Sequence, residues 1–527
     1  MRLGGAGLSC ARGARVLRPQ GFRAGVAAGG VINVSKERVM SQSNGRALRI
    51  VVIGAGMAGI LSAIKLREAG YDNFVIYEKA ARLGGTWREN TYPGIACDVP
   101  AHLYTYTFEP NPHWSHVFAP GEEIQAYFEG VANKYDVLPS IRFNTEITRC
   151  VFENGRWQLT TAAGATDSAD VVIAATGVLH YPNIPDIAGL ADFKGACFHS
   201  ARWNHEVALD GKRVGVIGTG STAIQITSAL VEKVAKFELF QRTAQWVMPI
   251  ENPAYSGEER AAFAADPARI FAIRDEAKRM MTDFIANAVI NADSQEMASI
   301  ERACLDNLEN NVKDAALREK LRPNYRAACK RLIFSPDFYQ AIQHPHAELV
   351  TDGITRIEAQ GVRTADGRLH ELDVLVLATG FRADRFIRPT LVTGRGGVTL
   401  DEVWADRPIA YLSLSVPGFP NLFLLNGPNG PVGNFSLIQI AEMQLGYVIQ
   451  LLNRLRDGNC REISASAGAT SAFDQARVEA AKGAIWSTGC KSWYLDKFGV
   501  PASWPWSYAR FAEEMAAPKL EAYEQVA

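Results

Sequence analysis

The 527-residue sequence carries almost no net charge, no long apolar run and no closely spaced pair of cysteines. Lys and Arg number 55 against 56 Asp and Glu, a balance that excludes a general role on nucleic acid or on an acidic membrane surface. The longest mostly apolar stretch, "VVIGAGMAGILSAI" at 51–64, falls short of the ~20 residues of a membrane-spanning helix and contains three glycines, so no stable membrane insertion is expected. Eight cysteines (10, 97, 150, 197, 304, 329, 460, 490) form no C-x-x-C and no zinc-like group. The expectation is buried free thiols in a reducing, cytoplasmic setting, with no structural metal. What is present is hydrophobic content of 47% in a chain well beyond the ~250–300 residues at which single cores split, which predicts two or three domains.

The first residues stand apart. The segment 1–39 is rich in Arg, Gly and Ala and has no acidic residue before Glu37, the composition of an organellar transit peptide. An upstream start is the other reading, because Lys36-Glu37-Arg38 can be encoded by AAG-GAG-CGN, a purine-rich stretch like a bacterial ribosome-binding site just ahead of Met40. Residues 1–45 are therefore kept out of the fold.

Regular patterning begins at Leu48. "LRIVVIGAGMAGILSAIKLREAG" reads as strand, Gly54-x-Gly56-x-x-Gly59 and helix, followed by the strand "NFVIYEK" closing on Glu78. Gly54 permits a tight turn, Gly56 lets the backbone approach a pyrophosphate, and Gly59 lets helix and strand pack closely. The helix N-terminus then faces the phosphate charge. Glu78, 24 residues after Gly54, is placed to accept hydrogen bonds from ribose hydroxyls.

The unit recurs in "KRVGVIGTGSTAIQITSALVEKVAKFELFQRT", with Gly218-x-Gly220-x-x-Ala223 at the turn. Here the residue 24 positions on is Arg242. A guanidinium can bind a ribose 2′-phosphate that a carboxylate would repel, so the second site should take NADPH. Thr219, Ser221 and Gln225 in the turn and helix, and Thr243 after the arginine, complete the candidates for that site.

Each unit is closed by an apolar run ending in Ala-Thr-Gly, "DVVIAATG" at 170–177 and "DVLVLATG" at 373–380, as befits strands buried on both faces of a parallel sheet. The first Ala-Thr-Gly hands the chain into the second unit and the second returns it. The predicted fold is α/β, with two Rossmann-like dinucleotide-binding domains, the second inserted in the first. The expected boundaries are 46–180 and 373–527 for the first domain with a C-terminal segment, and 181–372 for the second. A charged, alanine-rich stretch at 257–330 supplies extra helices near the second domain.

Two dinucleotides on one chain suggest a flavin reduced by a nicotinamide. No cysteine pair lies nearby to accept the electrons as a dithiol. "GGTWRENTYPGIACD" at 84–98 and "FKGACFHSARWN" at 193–204 together resemble class B flavoprotein monooxygenases, the family of flavin-containing and Baeyer-Villiger monooxygenases, from about Leu48 to the C-terminus. The Baeyer-Villiger fingerprint F-x-G-x-x-x-H-x-x-x-W is matched at Phe193, Gly195, His199 and Trp203, and the following position departs from it at Asn204. The segment from Ala175 to Pro182 also fits the family linker.

The resemblance implies FAD in the first domain and NADPH in the second, O2 as co-substrate, and a C4a-peroxyflavin that inserts oxygen beside a ketone carbonyl to give an ester or lactone. The alternative within the family is oxygenation of an amine nitrogen or sulfide sulfur. "CKRLIFSPDFY" at 329–339 resembles the segment carrying the active-site arginine, which maps to Arg331, with Lys330 beside it as a contact for the NADPH phosphate. Asp98 maps to the carboxylate that holds this arginine and lies by FAD. Gly85, Thr86, Trp87 and Tyr104 map to the FAD surroundings. His199 is read as coupling domain movement to catalysis, with a structural histidine as the plain alternative. The loop "NGPNGPVGNFSL", with Asn434 as a helix N-cap, resembles the return to FAD. The aromatic stretch "GCKSWYLDKFGVPASWPWS" at 489–507 reads either as a mobile cover or as a packed cluster.

Overall fold

A computed structural model describes residues 45–433 and 435–527. The leader at 1–45, except its last residue, and Asn434 lie outside the described residues.

Two five-stranded parallel sheets organise the chain; read in reverse, four strands of the second repeat the order of the first, while its outer strand Ala196–His199 precedes them in sequence where Leu422–Leu424 follows. The first runs Leu422–Leu424, Val171–Ala174, Ile50–Ile53, Phe74–Tyr77, Ile141–Arg142. The second runs Ala347–Val350, Lys236–Phe240, Arg213–Ile217, Val374–Leu377, Ala196–His199. In both, the strand that enters a glycine turn is central and is flanked by the strand that ends in Ala-Thr-Gly. Parallel neighbours are joined by crossovers that cover both faces, and IVVI, VVIA and VLVL are accordingly buried along their whole length. This is the expected doubly repeated α/β fold.

The strand Val374–Leu377 pairs with 214–217 on one side and 196–199 on the other, so it belongs to the second sheet. A boundary before Asp373 therefore cuts that sheet. The chain leaves it only after the second Ala-Thr-Gly, because a buried apolar strand reads alike in either sheet and only its register assigns it. The two crossings run side by side: Asn183 N–H donates to Gly380 O (2.8 Å) and Arg382 N–H to Tyr181 O (2.9 Å).

The helices of the 257–330 stretch are well signalled at their starts. Ser256 and Glu259 form a capping box, and Asp266, Ser294 and Asp314 each accept a backbone N–H at the helices that begin at Pro267, Gln295 and Ala315. They do not serve the second sheet alone. Ala277, Met281 and Ala286 pack in the core of the first sheet, while Met297, Ile300 and Cys304 pack with Trp246 and Leu332. The long helix Leu437–Arg456 is N-capped at Ser436, with no side-chain cap. No helix among the described residues is long and apolar enough to cross a membrane.

The thiol expectation needs correcting. Cys329 and Cys490 form a disulfide across 161 residues of sequence. Spacing rules see only local pairs, and this pair is made by tertiary packing. Cys97, Cys150, Cys304 and Cys460 are free and buried, and Cys197 is free and exposed.

Candidate active site

Both glycine turns sit at the C-terminal ends of their sheets, where open parallel sheets hold ligands. Gly54 has φ +103°, and a Cβ there would lie 2.7 Å from Ala175 O. Gly218 has φ +128°, and its Cβ would lie 2.2 Å from Ala378 O. Each turn thus rests on the alanine carbonyl of its own Ala-Thr-Gly, and a side chain would separate them. At Gly59 a Cβ would come within 1.9 Å of Gly54 O, so helix Met57–Glu68 packs directly on the turn. The helices that follow, Met57–Glu68 and Ser221–Leu230, begin at Gly56 and Gly220 with no side-chain cap. Uncapped N–H groups beside a backbone-only approach are the features a pyrophosphate requires.

Glu78 is buried and pins the first turn. Its Oε2 accepts from Ala55 N–H (2.8 Å), and its Oε1 accepts from Ala80 N–H and from Arg88 Nη1, each at 2.9 Å. Gly85 approaches Gly56 so closely that a Cβ there would lie 3.1 Å from the Gly56 Cα. Thr86 is exposed at the start of the turn Thr86–Glu89. Trp87 donates its indole N–H to the Tyr104 hydroxyl (3.2 Å), and burial pushes that phenol well above its ordinary range.

At the second turn, Thr219 donates to Thr243 O (2.9 Å) and accepts from Gln245 Nε2 (3.3 Å). The Gln245 carbonyl accepts from Tyr325 (2.8 Å), and Lys330 Nζ lies 4.7 Å over the Tyr325 ring. Burial and the charge of nearby Arg242 hold the Lys330 pKa below the ordinary lysine value. A lysine whose charge a neighbouring guanidinium opposes marks a place for an anion. Gln225 is placed differently from the expectation. Its amide accepts from Tyr92 (2.8 Å) and donates to Ala96 O (3.0 Å), so it joins the second unit to the loop that leads to Asp98.

That loop brings the two units together. Gly94 lies so close to helix Ser221–Leu230 that a Cβ would be 2.6 Å from Gln225 O. Arg331, from the second unit, donates through Nη2 to Asp98 Oδ2 and through Nη1 to Gly433 O (2.6 Å). Burial opposes its charge, but the Asp98 carboxylate and the neighbouring Tyr494 hydroxyl more than offset that and raise its pKa. The result is a permanent cation where segments after both turns converge.

A profile described as Flavin-binding monooxygenase-like matches residues 47–386. The chain belongs to this family. It is 44% identical over 482 residues to an uncharacterised monooxygenase of Mycobacterium tuberculosis, covering 91% of this chain and 96% of that relative. It is 39% identical over 485 residues to a Baeyer-Villiger monooxygenase of Streptomyces coelicolor, covering 90% and 92%. Its fold is similar to that of cyclohexanone monooxygenase from Rhodococcus sp. Phi1 bound to NADP+, with a TM-score of 0.82, 28% identity, and coverage of 91% of this chain and 99% of that one.

In this flavin-binding monooxygenase-like chain, His199 of the fingerprint ties its own strand to the crossing at Gly380. His199 donates through Nε2 to Gly380 O (3.1 Å), and its Nδ1 accepts from Ala201 N–H (3.1 Å). Burial lowers its pKa, and the bond to Gly380 opposes that only in part. Gly195 is required because a Cβ would lie 2.4 Å from Asp373 O, and Trp203 packs edge-on against Phe198. Sequence reasoning missed Tyr494, Arg88 and Gly433. Tyr494 was inside the aromatic stretch already singled out, but nothing local marks which aromatic meets the arginine.

Proposed function

We propose that the chain binds FAD at the Gly54 turn and NADPH at the Gly218 turn, and that it oxygenates a ketone with O2 to give an ester or lactone. The reading rests on one observation: the Arg331 guanidinium, held by Asp98 and Gly433 O, lies where the two units meet. The residues present suit both cofactors, because each turn offers uncapped helix N–H groups behind a glycine that no side chain could replace. Bound flavin, once reduced by the nicotinamide, supplies the activation of O2. The protein's part is electrostatic. A carbonyl oxygen that gains negative charge during attack is stabilised by a fixed cation that needs no reorganisation. Asp98 holds the guanidinium fork in one orientation and keeps it charged. Arg242 and Lys330 select the phosphorylated nicotinamide through its 2′-phosphate. A small cyclic ketone is the substrate class suggested by the cyclohexanone monooxygenase neighbours.

The test is product analysis with a cyclic ketone and a thioether in parallel, with NADPH consumption measured. Lactone in proportion to NADPH consumed supports the reading. Sulfoxide with no lactone moves it to heteroatom oxygenation, and hydrogen peroxide alone across a ketone panel removes it.

A further inference from the structure

The disulfide joins the two segments that meet at Arg331. Cys329 lies two residues before Arg331, and Cys490 lies four residues before Tyr494. Both cysteines share a buried cluster with Trp246, Leu332, Trp486 and Tyr494. Tyr494 is set tightly against the arginine's other partner: a Cβ at Gly433 would come within 2.1 Å of the Tyr494 hydroxyl.

The rest of this C-terminal segment is held loosely. From Gly489 to Ala502 its backbone–backbone hydrogen bonds, such as Leu495 to Ser492 and Ala502 to Tyr494, stay within the segment. Among the described residues, hydrogen bonds from side chains outside the segment or from Lys497 gather at its far half: Arg407 to Asp496 (3.4 Å), Lys497 to Ala405 O (3.0 Å) and Asp406 (3.2 Å), Arg477 to Pro501 O, and Asn429 to Ala502 O (3.5 Å). Trp493 and Phe498 are exposed at 46% and 60%. A segment with few outside bonds opens at low free energy unless something else anchors it. Near Arg331 that anchor is the covalent bond, with the packing of Trp486 and Tyr494 around it.

We propose that Cys329–Cys490 is a redox-operated clasp: closed, it keeps Tyr494 against Arg331; opened by a dithiol, it frees the segment and loosens the cation. The role for Arg331 rests on the monooxygenase reading above. Cys329 is fully buried and Cys490 retains 8% exposure, so attack is assigned to the Cys490 side of the bond. In opening, a dithiol's thiolate attacks Cys490 Sγ and expels Cys329, and the dithiol's second sulfur then attacks its first and expels Cys490. Cys329 and Cys490 each gain a proton and the dithiol leaves as its own disulfide. In closing, the two thiols lose two electrons to a peroxide, the S–S bond forms, and hydrogen peroxide becomes two waters.

The experiment uses full-length holoenzyme in three states: oxidised, reduced with dithiothreitol that is then removed, and reoxidised with stoichiometric hydrogen peroxide. Non-reducing peptide mapping reads the bond, trypsin cleavage after Lys491 and Lys497 reads the segment, and lactone per NADPH reads the site. Reduction should raise cleavage at least about ten-fold, as expected of a local opening. It should also lower lactone per NADPH at least about ten-fold, since a misplacement on the order of 1 Å can cost a hundred-fold. FAD content and anaerobic reduction by NADPH should stay as they were, and peroxide should restore both losses. Cys329→Ser/Cys490→Ser should behave as the reduced protein and ignore dithiothreitol. If it does not fold, the three states of the parent still decide. Tyr494→Phe should lower the yield with no change in cleavage rate. Free thiols at both positions in the oxidised protein, or a cleavage rate or product yield that ignores the redox state, overturn the clasp. Absence of any oxygenated product in all three states, with the protease response intact, removes the monooxygenase reading and leaves the bond's hold on the segment standing.

Discussion

Replacing Arg331 by alanine separates the chemical step from everything before it. The guanidinium bonds Asp98 and Gly433 O rather than either glycine turn, so FAD content and anaerobic reduction by NADPH should match the parent. What is lost is the cation held by Asp98 and by Gly433 O at 2.6 Å. Removing one preorganised donor to a developing oxyanion costs ~2.7–4 kcal/mol. At 1.36 kcal/mol per decade this is about a hundred- to a thousand-fold in oxygenation rate. The substitution also strips Asp98 of its partner, which lowers stability by about 1 kcal/mol, the low end for an unsatisfied group because this side chain keeps 25% exposure. Adding Asp98→Asn should recover the melting temperature and leave oxygenation low, separating the two effects. Arg331→Lys keeps the charge without the fork that reaches both partners, so it should fall between parent and alanine. The assay is stopped-flow reduction followed by gas chromatography of the lactone with peroxide titration. Lactone formed at the parent rate by Arg331→Ala would refute the reasoning.

Arg242→Gln should raise the NADPH KM by about ten- to a hundred-fold, the worth of a charge-assisted bond of ~1.5–3 kcal/mol, with little change for NADH; equal changes for both would sink the assignment. Lys330 has a folded pKa below its ordinary value, so it loses its charge early as pH rises, and the NADPH KM should climb at a pH below ordinary lysine titration. In Arg242→Gln that climb should begin at higher pH, because a repelling cation is gone. Gly218→Ala puts a methyl 2.2 Å from Ala378 O at φ +128°, so reduction by NADPH should collapse while FAD content holds, as flavin-to-protein ratio and anaerobic reduction will show. His102 is buried between Tyr255 and Phe263 with both ring nitrogens unpartnered, and burial lowers its pKa to about 4. The unfolded chain takes this proton near pH 6.5 and the folded one only near 4. Stability from His102 is therefore complete above the unfolded value and lost as pH falls through that window, by at most about 3 kcal/mol. His102→Phe should flatten the melting temperature between pH 6.5 and 4, and an unchanged slope would count against it.

Backbone demands that act over a few residues were open to reading from the chain alone. Gly54, Gly56 and Gly59 declare a tight turn and a close approach because no other residue tolerates them, and an exchange of acid for Arg242 at the same spacing declares a change of ligand charge. The apolar runs before each Ala-Thr-Gly declare strands buried on both faces. Arg331, Lys330 and Asp98 had no local mark and were legible only by resemblance, since a Lys-Arg pair in isolation reads as solvated surface. Other features were decided by packing. The membership of Val374–Leu377 in the second sheet depends on its register with Val214–Ile217. The purpose of each Ala-Thr-Gly is a carbonyl that meets a glycine more than a hundred residues away in sequence. Gln225 turned from its own turn to the facing loop, and Cys329 found Cys490 across 161 residues. Local conformation is set by the few atoms around each φ and ψ, so it can be read residue by residue. Which distant side chains touch is set by how whole sheets and helices stack, and no stretch of the chain carries that information by itself.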